Sequence, residues 1–592
     1  MALRIANCSG FFGDRLSAAR EMIDGGPIDV LTGDWLAEIT MGVLASQRAR
    51  NDDRGYAHTF VQQMDDVLID CLDRGVRVVS NAGGLNPRSC AAAVRAIGLS
   101  AGRDVKVAVV EGDDVTELVN GRLAEGWPAP HLGTNESLTE IDAHLVVANA
   151  YLGGWGIAAA LDRGADVVIT GRVSDASVVV GAAAAHYGWA RDAWDELAGA
   201  VVAGHIIECG PQTAGGNYPF FAELPDTTHL AFPIADVAED GSATIYKHAG
   251  TGGAITCETV TAQLLYEIHG PRYLNPDVVA RFDTIRLRQD ASDRVHVSGT
   301  TGEPAPETLK AGLICEHGWT NSVTFLLTGR DIERKSAFAE EVLWSSISGG
   351  RDAFDETSVR LLRADREDPE TLEEATALLT ISVAGRDPDA VHSFSRRAVE
   401  TLLAGYPGQA LTSPPSGATR RRLFWPTLLP ARDVVQSVTM DAVSWQVDVP
   451  ESTTWAAAGR GRAGAQPATS TSGGRPGAAT VRRPFGSVVG ARSGDKGGDA
   501  VVGLWARLDE TFTWLDGWWV EDHVRDLLPR SDRHRQLHLW RLPNLRAVGV
   551  TIPGYLGRGA AHNLALDPQA KGLGEYLRAR HVDLPASLLD GP

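Results

Sequence analysis

The chain lacks long hydrophobic runs, paired cysteines and basic tracts, and each lack removes a class of protein. No apolar stretch is long enough to span a bilayer. No basic leader with an apolar core opens the chain, so a secreted protein is not expected either. The six cysteines in 592 residues are scattered at Cys8, Cys71, Cys90, Cys209, Cys257 and Cys315. They form no C-x-x-C pair, which argues against a disulfide framework and against zinc. The cytoplasm is the expected compartment. Acidic residues outnumber basic ones, 75 to 55, for a net charge of −20. Such a surface repels nucleic acid and anionic membranes, so neither is an expected partner. The one basic cluster, Arg420-Arg421-Arg422, reads as a solvated surface turn.

Cofactor fingerprints are missing as well. No Walker spacing, H-E-x-x-H or G-x-S-x-G occurs. The only G-x-G-x-x-G match, Gly459, Gly461 and Gly464, follows no strand. No cofactor and no metal is therefore expected.

What remains is a globular composition, 44% apolar and 22% charged. The length implies two or three domains. From Ala456 to Ala479 the chain reads AAAGRGRAGAQPATSTSGGRPGAA, with almost no large apolar residue. Such a segment reads as a flexible linker. It divides an N-terminal body, residues 1–455, from a small C-terminal domain, residues 480–592, and a subdomain boundary is expected near residue 230.

The body opens as α/β. Apolar runs at Leu3–Asn7, Ile28–Thr32, Val76–Ser80, Val105–Val110, His144–Ala148 and Val167–Thr170 alternate with helical segments. This predicts a mostly parallel sheet flanked by helices, with ligands at the carboxyl ends of the strands. Beyond about residue 232 the pattern is mixed. The C-terminal piece predicts a small α+β sandwich of ferredoxin-like type, with a turn over Ser493–Gly498.

Several strings, in order, carry a resemblance. They are Ser9-Gly10-Phe11-Phe12-Gly13-Asp14, Leu31-Thr32-Gly33-Asp34-Trp35, Ser80-Asn81-Ala82-Gly83-Gly84-Leu85-Asn86-Pro87 and Gly171-Arg172-Val173-Ser174-Asp175. Further on come Gly204-His205-Ile206-Ile207-Glu208-Cys209-Gly210-Pro211-Gln212, Asn275-Pro276-Asp277 and Ser493-Gly494-Asp495-Lys496-Gly497-Gly498. Across both domains the chain resembles the acyclic terpene utilisation family, the AtuA type, with its small C-terminal AtuA-like domain. The resemblance implies a place in acyclic terpenoid or branched acyl-CoA breakdown.

The residues suggest chemistry of their own. His205 and Glu208 share a face if their segment is helical and point apart if it is a strand. On a helix they form an acid/base pair; otherwise they are core residues. Arg172 and Asp175 suit an anion clamp and a base, or a helix cap. Asn81 and Asn86 offer donors to a carbonyl beside Gly83 and Gly84, or simply build a turn. Asp34 with Glu38 reads as a carboxylate pair or a capped helix. Lys247 with Gly252 and Gly253 reads as an anion cradle, and Gln212 as a substrate contact. Cys209 reads as a buried thiol.

The expected function is acid/base addition, elimination or cleavage on an activated acyl substrate, a CoA thioester or organic acid, by a homo-oligomer. His205, Glu208 and Asp175 would move protons. Two alternatives stay open: a non-catalytic assembly subunit, and a metal-dependent hydrolase using Asp34, Asp175 and Glu208.

Overall fold

The computed structural model describes residues 2–448 and 479–589. The expected linker falls almost wholly outside the described residues. At the centre lie five parallel strands, β1 (Leu3–Asn7), β2 (Val30–Gly33), β3 (Arg77–Ser80), β4 (Val107–Glu111) and β6 (Val167–Thr170). Their order is β1-β2-β3-β6-β4. The last four residues of β4 before Glu111 and all of β6 are buried. Strands with both faces covered have no polar side to alternate with, which explains their unbroken Val/Ile runs.

The sheet is mixed rather than wholly parallel. After residue 230 the chain returns as β7 (Ile234–Val237), antiparallel to β1, and β8 (Ala243–Tyr246), antiparallel to β7. Strands Arg294–Ser298 and Arg286–Ala291 extend that side, and Gln436–Met440 with Val443–Val447 extend the other, for eleven strands in all. The strands on either side of residue 230 thus share one sheet.

The segment β5 (His144–Ala150) is a strand, as its apolar run predicts, but it leaves the parallel series. It pairs antiparallel with the long strand Thr308–Thr328 in a second, six-stranded sheet. The strand Thr419–Pro430 joins the same partner. Here the sequence reading of Arg420-Arg421-Arg422 needs correction. These residues lie on a strand, not a turn, and Arg421 is buried, bonded to Glu356 and to the carbonyl of His562. Each arginine has a specific acceptor, with Arg420 on Glu316 and Arg422 on Ser46.

In the C-terminal domain, Val489–Lys496, Asp499–Ala506, Ala547–Ile552 and His538–Leu542 form a four-stranded antiparallel sheet in that order. Ser493–Gly498 was expected as a turn. Instead the strand runs on to Lys496, and only Gly497 and Gly498 make the bend. The alternating apolar pattern gives this sheet two buried faces. One packs on the domain's own helices through Val502, Leu504 and Trp519. The other, with Val501, Trp505 and Trp540, joins the core of the body. Fully burying one such side chain is worth about 1.5–3 kcal/mol, so the two domains are packed together, not merely tethered. Two glycines permit this approach. A Cβ at Gly494 would lie 2.7 Å from the Tyr266 ring, and one at Gly503 2.7 Å from Cβ of Leu265. Among the described residues no helix is long and apolar enough to cross a membrane.

Candidate active site

The carboxyl ends of the parallel strands bring several polar side chains into the interior. Asp34 follows β2, Asn81 follows β3, Asp113 follows β4, and Arg172 with Asp175 follow β6. Asp34, Asn81, Asp113 and Arg172 are all buried. Burial without partners would be costly, and each has one. Asn81 Nδ2 donates to Asp34 Oδ1 at 2.5 Å, and Asn81 Oδ1 accepts from the Trp35 N–H at 2.9 Å. Arg172 Nη1 donates to Asp175 Oδ1 at 2.5 Å, with the guanidinium 4.1 Å above the Tyr151 ring. Asp113 accepts from the Arg172 backbone N–H at 2.8 Å and from Asn149 at 2.9 Å. A Cβ at Gly171 would strike Asp113 Oδ1 at 2.3 Å, so the glycine is what lets that carboxylate reach the loop.

His205 and Glu208 arrive from another element. The segment is helical, Trp194–Ile207, with Glu208 at its carboxyl end. The helix is apolar nearly all round because it is buried on all sides. A Cβ at Gly199 would lie 2.0 Å from the Gly241 carbonyl, and one at Gly204 2.8 Å from Ala176 Cα. The i, i+3 spacing then closes a contact of 3.1 Å between His205 Nδ1 and Glu208 Oε1.

The same cluster receives side chains from further elements. Lys310, from the long strand of the second sheet, pairs with Glu38 at 3.0 Å and lies 4.7 Å above the Tyr151 ring. Lys496, at the end of its strand in the C-terminal domain, stands 5.7 Å from the Tyr273 ring. Glu267 sits nearby at φ 56°, a left-handed conformation that a non-glycine residue keeps only where its surroundings hold it.

Charge is divided sharply among these carboxyls. Burial opposes ionisation of Asp175, yet Arg172 and Lys496 outweigh it and hold its pKa below the usual aspartate range. Burial pushes Glu208 well above the ordinary value, and the negative charge of Asp175 adds to the effect. The carboxyl end of a helix dipole also disfavours an anion there. Asp34 is raised in the same way, by burial and then by Asp175. Burial pushes His205 down to about 4, so the His205–Glu208 pair is neutral. Asp175, held ionised, thus stands beside Asp34 and Glu208, held protonated, the arrangement that separates a base from an acid. Glu208 Oε2, His205 Nε2 and Arg172 Nε are buried with no hydrogen-bond partner among the described residues.

Other residues singled out in the sequence fall elsewhere. Asn86 caps the helix Pro87–Ser100, accepting from the Ser89 N–H at 3.2 Å, and its amide donates to the Asp52 and Arg54 carbonyls. It has no donor left for a carbonyl in the cluster. Gly83 and Gly84 serve packing. A Cβ at Gly83 would lie 2.5 Å from the Thr170 carbonyl, and Gly84 has φ 52°. Lys247 is not an anion cradle. It pairs with Asp293 at 3.2 Å and donates to the Thr251 carbonyl at 2.6 Å. Gly252 and Gly253 allow close approach of the Asp226, His229 and Ala214 carbonyls. Gln212 accepts from Arg492 of the C-terminal domain and so belongs to the domain contact. Cys209 is pushed well above the usual thiol range by burial and then by Glu208, which keeps it a thiol.

Lys496, Lys310, Tyr151, Tyr273, Glu267 and Asp113 were not among the sequence candidates. The strings around Lys496 and Asp113 were visible as polar strand ends, but nothing local says which of them meet. Asn275-Pro276-Asp277 proves to be a brace. Asn275 donates to Ser174 Oγ at 3.0 Å, and Asp277 accepts from the Gly154 N–H at 2.8 Å. Among the described residues, no three of His, Cys, Asp and Glu are grouped so as to hold a metal ion. The metal-hydrolase reading of Asp34, Asp175 and Glu208 therefore has no ligand geometry behind it.

Comparison with known proteins gives two family matches. Residues 3–440 match the acyclic terpene utilisation family protein AtuA, and residues 484–583 match the AtuA ferredoxin-like domain. No curated protein and no solved structure matches the chain. The first match spans most of the body and ends with the strand Gln436–Met440, and the second covers the small sheet that brings Lys496. The chain belongs to the acyclic terpene utilisation family, with its ferredoxin-like domain at the C-terminal end.

Proposed function

We propose that this protein is an acid/base enzyme that adds to, eliminates from or cleaves an activated acyl substrate, a branched acyl thioester of acyclic terpene breakdown. The observation that carries the reading is the split between Asp175, held ionised, and Glu208, held protonated, in one buried cluster. In the elimination direction, Asp175 takes the proton from the carbon next to the thioester carbonyl. Glu208 gives its proton to the departing β-hydroxyl, which leaves as water, and the electron pair of the broken C–H bond becomes the new C=C bond. Hydration runs the same steps in reverse. His205 acts through Glu208, holding its carboxyl in place, and Asn81 fixes Asp34. The family's role in acyclic terpene utilisation supports the substrate class.

The test is NMR of a branched acyl-CoA thioester incubated with the protein in D2O. Deuterium should enter at the α-carbon with the wild type, and more slowly by a factor of about 10²–10⁴ with Asp175→Asn. Equal exchange by both proteins, or none by the wild type, would sink the proposal.

A further inference from the structure

Acid/base chemistry on an acyl group builds negative charge on oxygen, and something must hold it. Lys247 is placed elsewhere, on Asp293. Lys310 is committed to Glu38, and Arg172 Nη1 to Asp175. Lys496 differs from all three. It makes no ion pair and no hydrogen bond among the described residues, only the ring contact with Tyr273.

Its backbone, by contrast, is firmly held. Arg492, on the same strand, donates to Gln212 and to the Asn217 carbonyl of the body. The bend that follows Lys496 is seated among loops of both domains. Gly498 accepts from the Leu556 N–H at 2.9 Å, and a Cβ there would lie 2.3 Å from the Gly557 carbonyl and 3.1 Å from His131 Cε1. Asp499 accepts from the Gly554 N–H at 2.9 Å. A fixed mount with an unbonded ammonium is not what a structural lysine needs. In the same cluster, Arg172 Nε, His205 Nε2 and Glu208 Oε2 are buried and unpartnered. Orphaned groups of this kind in a native interior call for a missing partner.

We infer that Lys496 holds an anionic oxygen of the substrate, either a carboxylate or the oxygen of a thioester enolate, so that the C-terminal domain is part of the active site. The inference rests on the cluster being the site proposed above. The role is electrostatic, not covalent. An amine that attacks a carbonyl must be readily deprotonated. Burial opposes the charge on Lys496, but its acidic neighbours, Glu267 and Asp175 among them, outweigh it and raise its pKa.

The test is calorimetric binding of 3-methylbut-2-enoate and of its coenzyme A thioester to the full chain, for wild type, Lys496→Met and Lys496→Arg. The wild type should bind at least one probe. Affinity should fall about ten- to a hundredfold in the methionine variant, the worth of a charged hydrogen bond, and return in part with arginine. Tight binding of the free acid would identify a carboxylate as the partner. Binding of the thioester alone, with unchanged affinity in Lys496→Met and α-proton exchange slower even at a pH where Asp175 stays ionised, would identify the enolate oxygen. Thermal unfolding should shift little, because the ammonium makes no ion pair or hydrogen bond among the described residues and its removal also relieves the cost of burying a charge. The inference is overturned if Lys496→Met binds and exchanges like the wild type, or if the wild type binds neither probe. Should Lys496→Met lose binding while Asp175→Asn keeps full exchange, the base assignment falls and the lysine stands.

Discussion

Two glycine-bearing loops, each with a basic residue, leave strands of the same sheet that run in the same direction, yet only one reaches the carboxylate cluster. The loop after β6 carries Arg172 and Asp175; the loop after β8 carries Lys247, Gly252 and Gly253. Two antiparallel steps, β1 to β7 and β7 to β8, restore the direction of β1, so both loops emerge on the same edge. Their lateral position separates them. The strand order puts five inter-strand spacings between β8 and β6, roughly 24 Å. The loop after β6 lies between the ends of β3 and β4, so Asn81 and Asp113 flank it. The loop after β8 faces the loops at residues 226–231 and Asp293, which take up its lysine. A polar, glycine-rich strand end is therefore a candidate only; its place across the sheet and what covers it make it a site.

The largest effect that would break this comparison is a charge change in each loop. Asp175→Asn should cost about 10²–10⁴ in turnover, whereas Lys247→Met should leave turnover within about twofold. Urea unfolding should show the reverse bias. Lys247→Met should lose about 1 kcal/mol, the worth of a hydrogen-bonded ion pair to the partly exposed Asp293. If Lys247→Met abolishes activity at unchanged stability, the two loops are equivalent after all.

A second, smaller effect concerns the cover. Gly503→Val would press on Leu265 and lift the C-terminal sheet from the body without touching any charge. Activity should drop as in Lys496→Met, and limited proteolysis should cut the C-terminal domain more readily. Full activity with a displaced domain would show that the strand ends work uncovered.

The pH profile sharpens the assignment further. Turnover should need Asp175 ionised and Glu208 protonated. It should fall in acid below the ordinary aspartate range, and fall again on the alkaline side as pH rises through the raised value at which Glu208 ionises. Glu208→Gln should remove the alkaline limb while keeping the acid one.

The smallest expected effect lies in stability. Burial raises Asp113 to about 7, against backbone and Asn149 hydrogen bonds that pull it down. Its folded state therefore holds a proton that the unfolded chain releases from about 4 upward. The stability it contributes is fully present below about 4 and lost as pH rises through about 7. In Asp113→Asn, urea midpoints should lose this part of the slope. An unchanged slope would place the titration elsewhere.

Much of the frame was legible in the residues. Runs such as Val107–Glu111 and Val167–Thr170 are apolar at every core position, which only strands covered on both faces tolerate. The Trp194–Ile207 segment was open between helix and strand, since an apolar run carries no period. Its closing Glu208 and the glycines that fit Gly241 and Ala176 settle it as a helix only in three dimensions. Asp34, Asn81, Arg172, Asp175, His205 and Glu208 could be named from strand-end position and spacing. Asn86 and Lys247 could be named on the same grounds but are spent on a helix cap and on an ion pair. The same logic missed Lys310 and Lys496, which come from the second sheet and from the other domain.

By itself the sequence determined the family, the parallel α/β centre and the edge at which chemistry can occur, because burial periodicity and strand-end turns are local properties of the chain. Only the tertiary structure decided which charges face one another. That depends on lateral strand order and on the docking of a second domain across Gly494 and Gly503, contacts between residues hundreds of positions apart that no local pattern encodes.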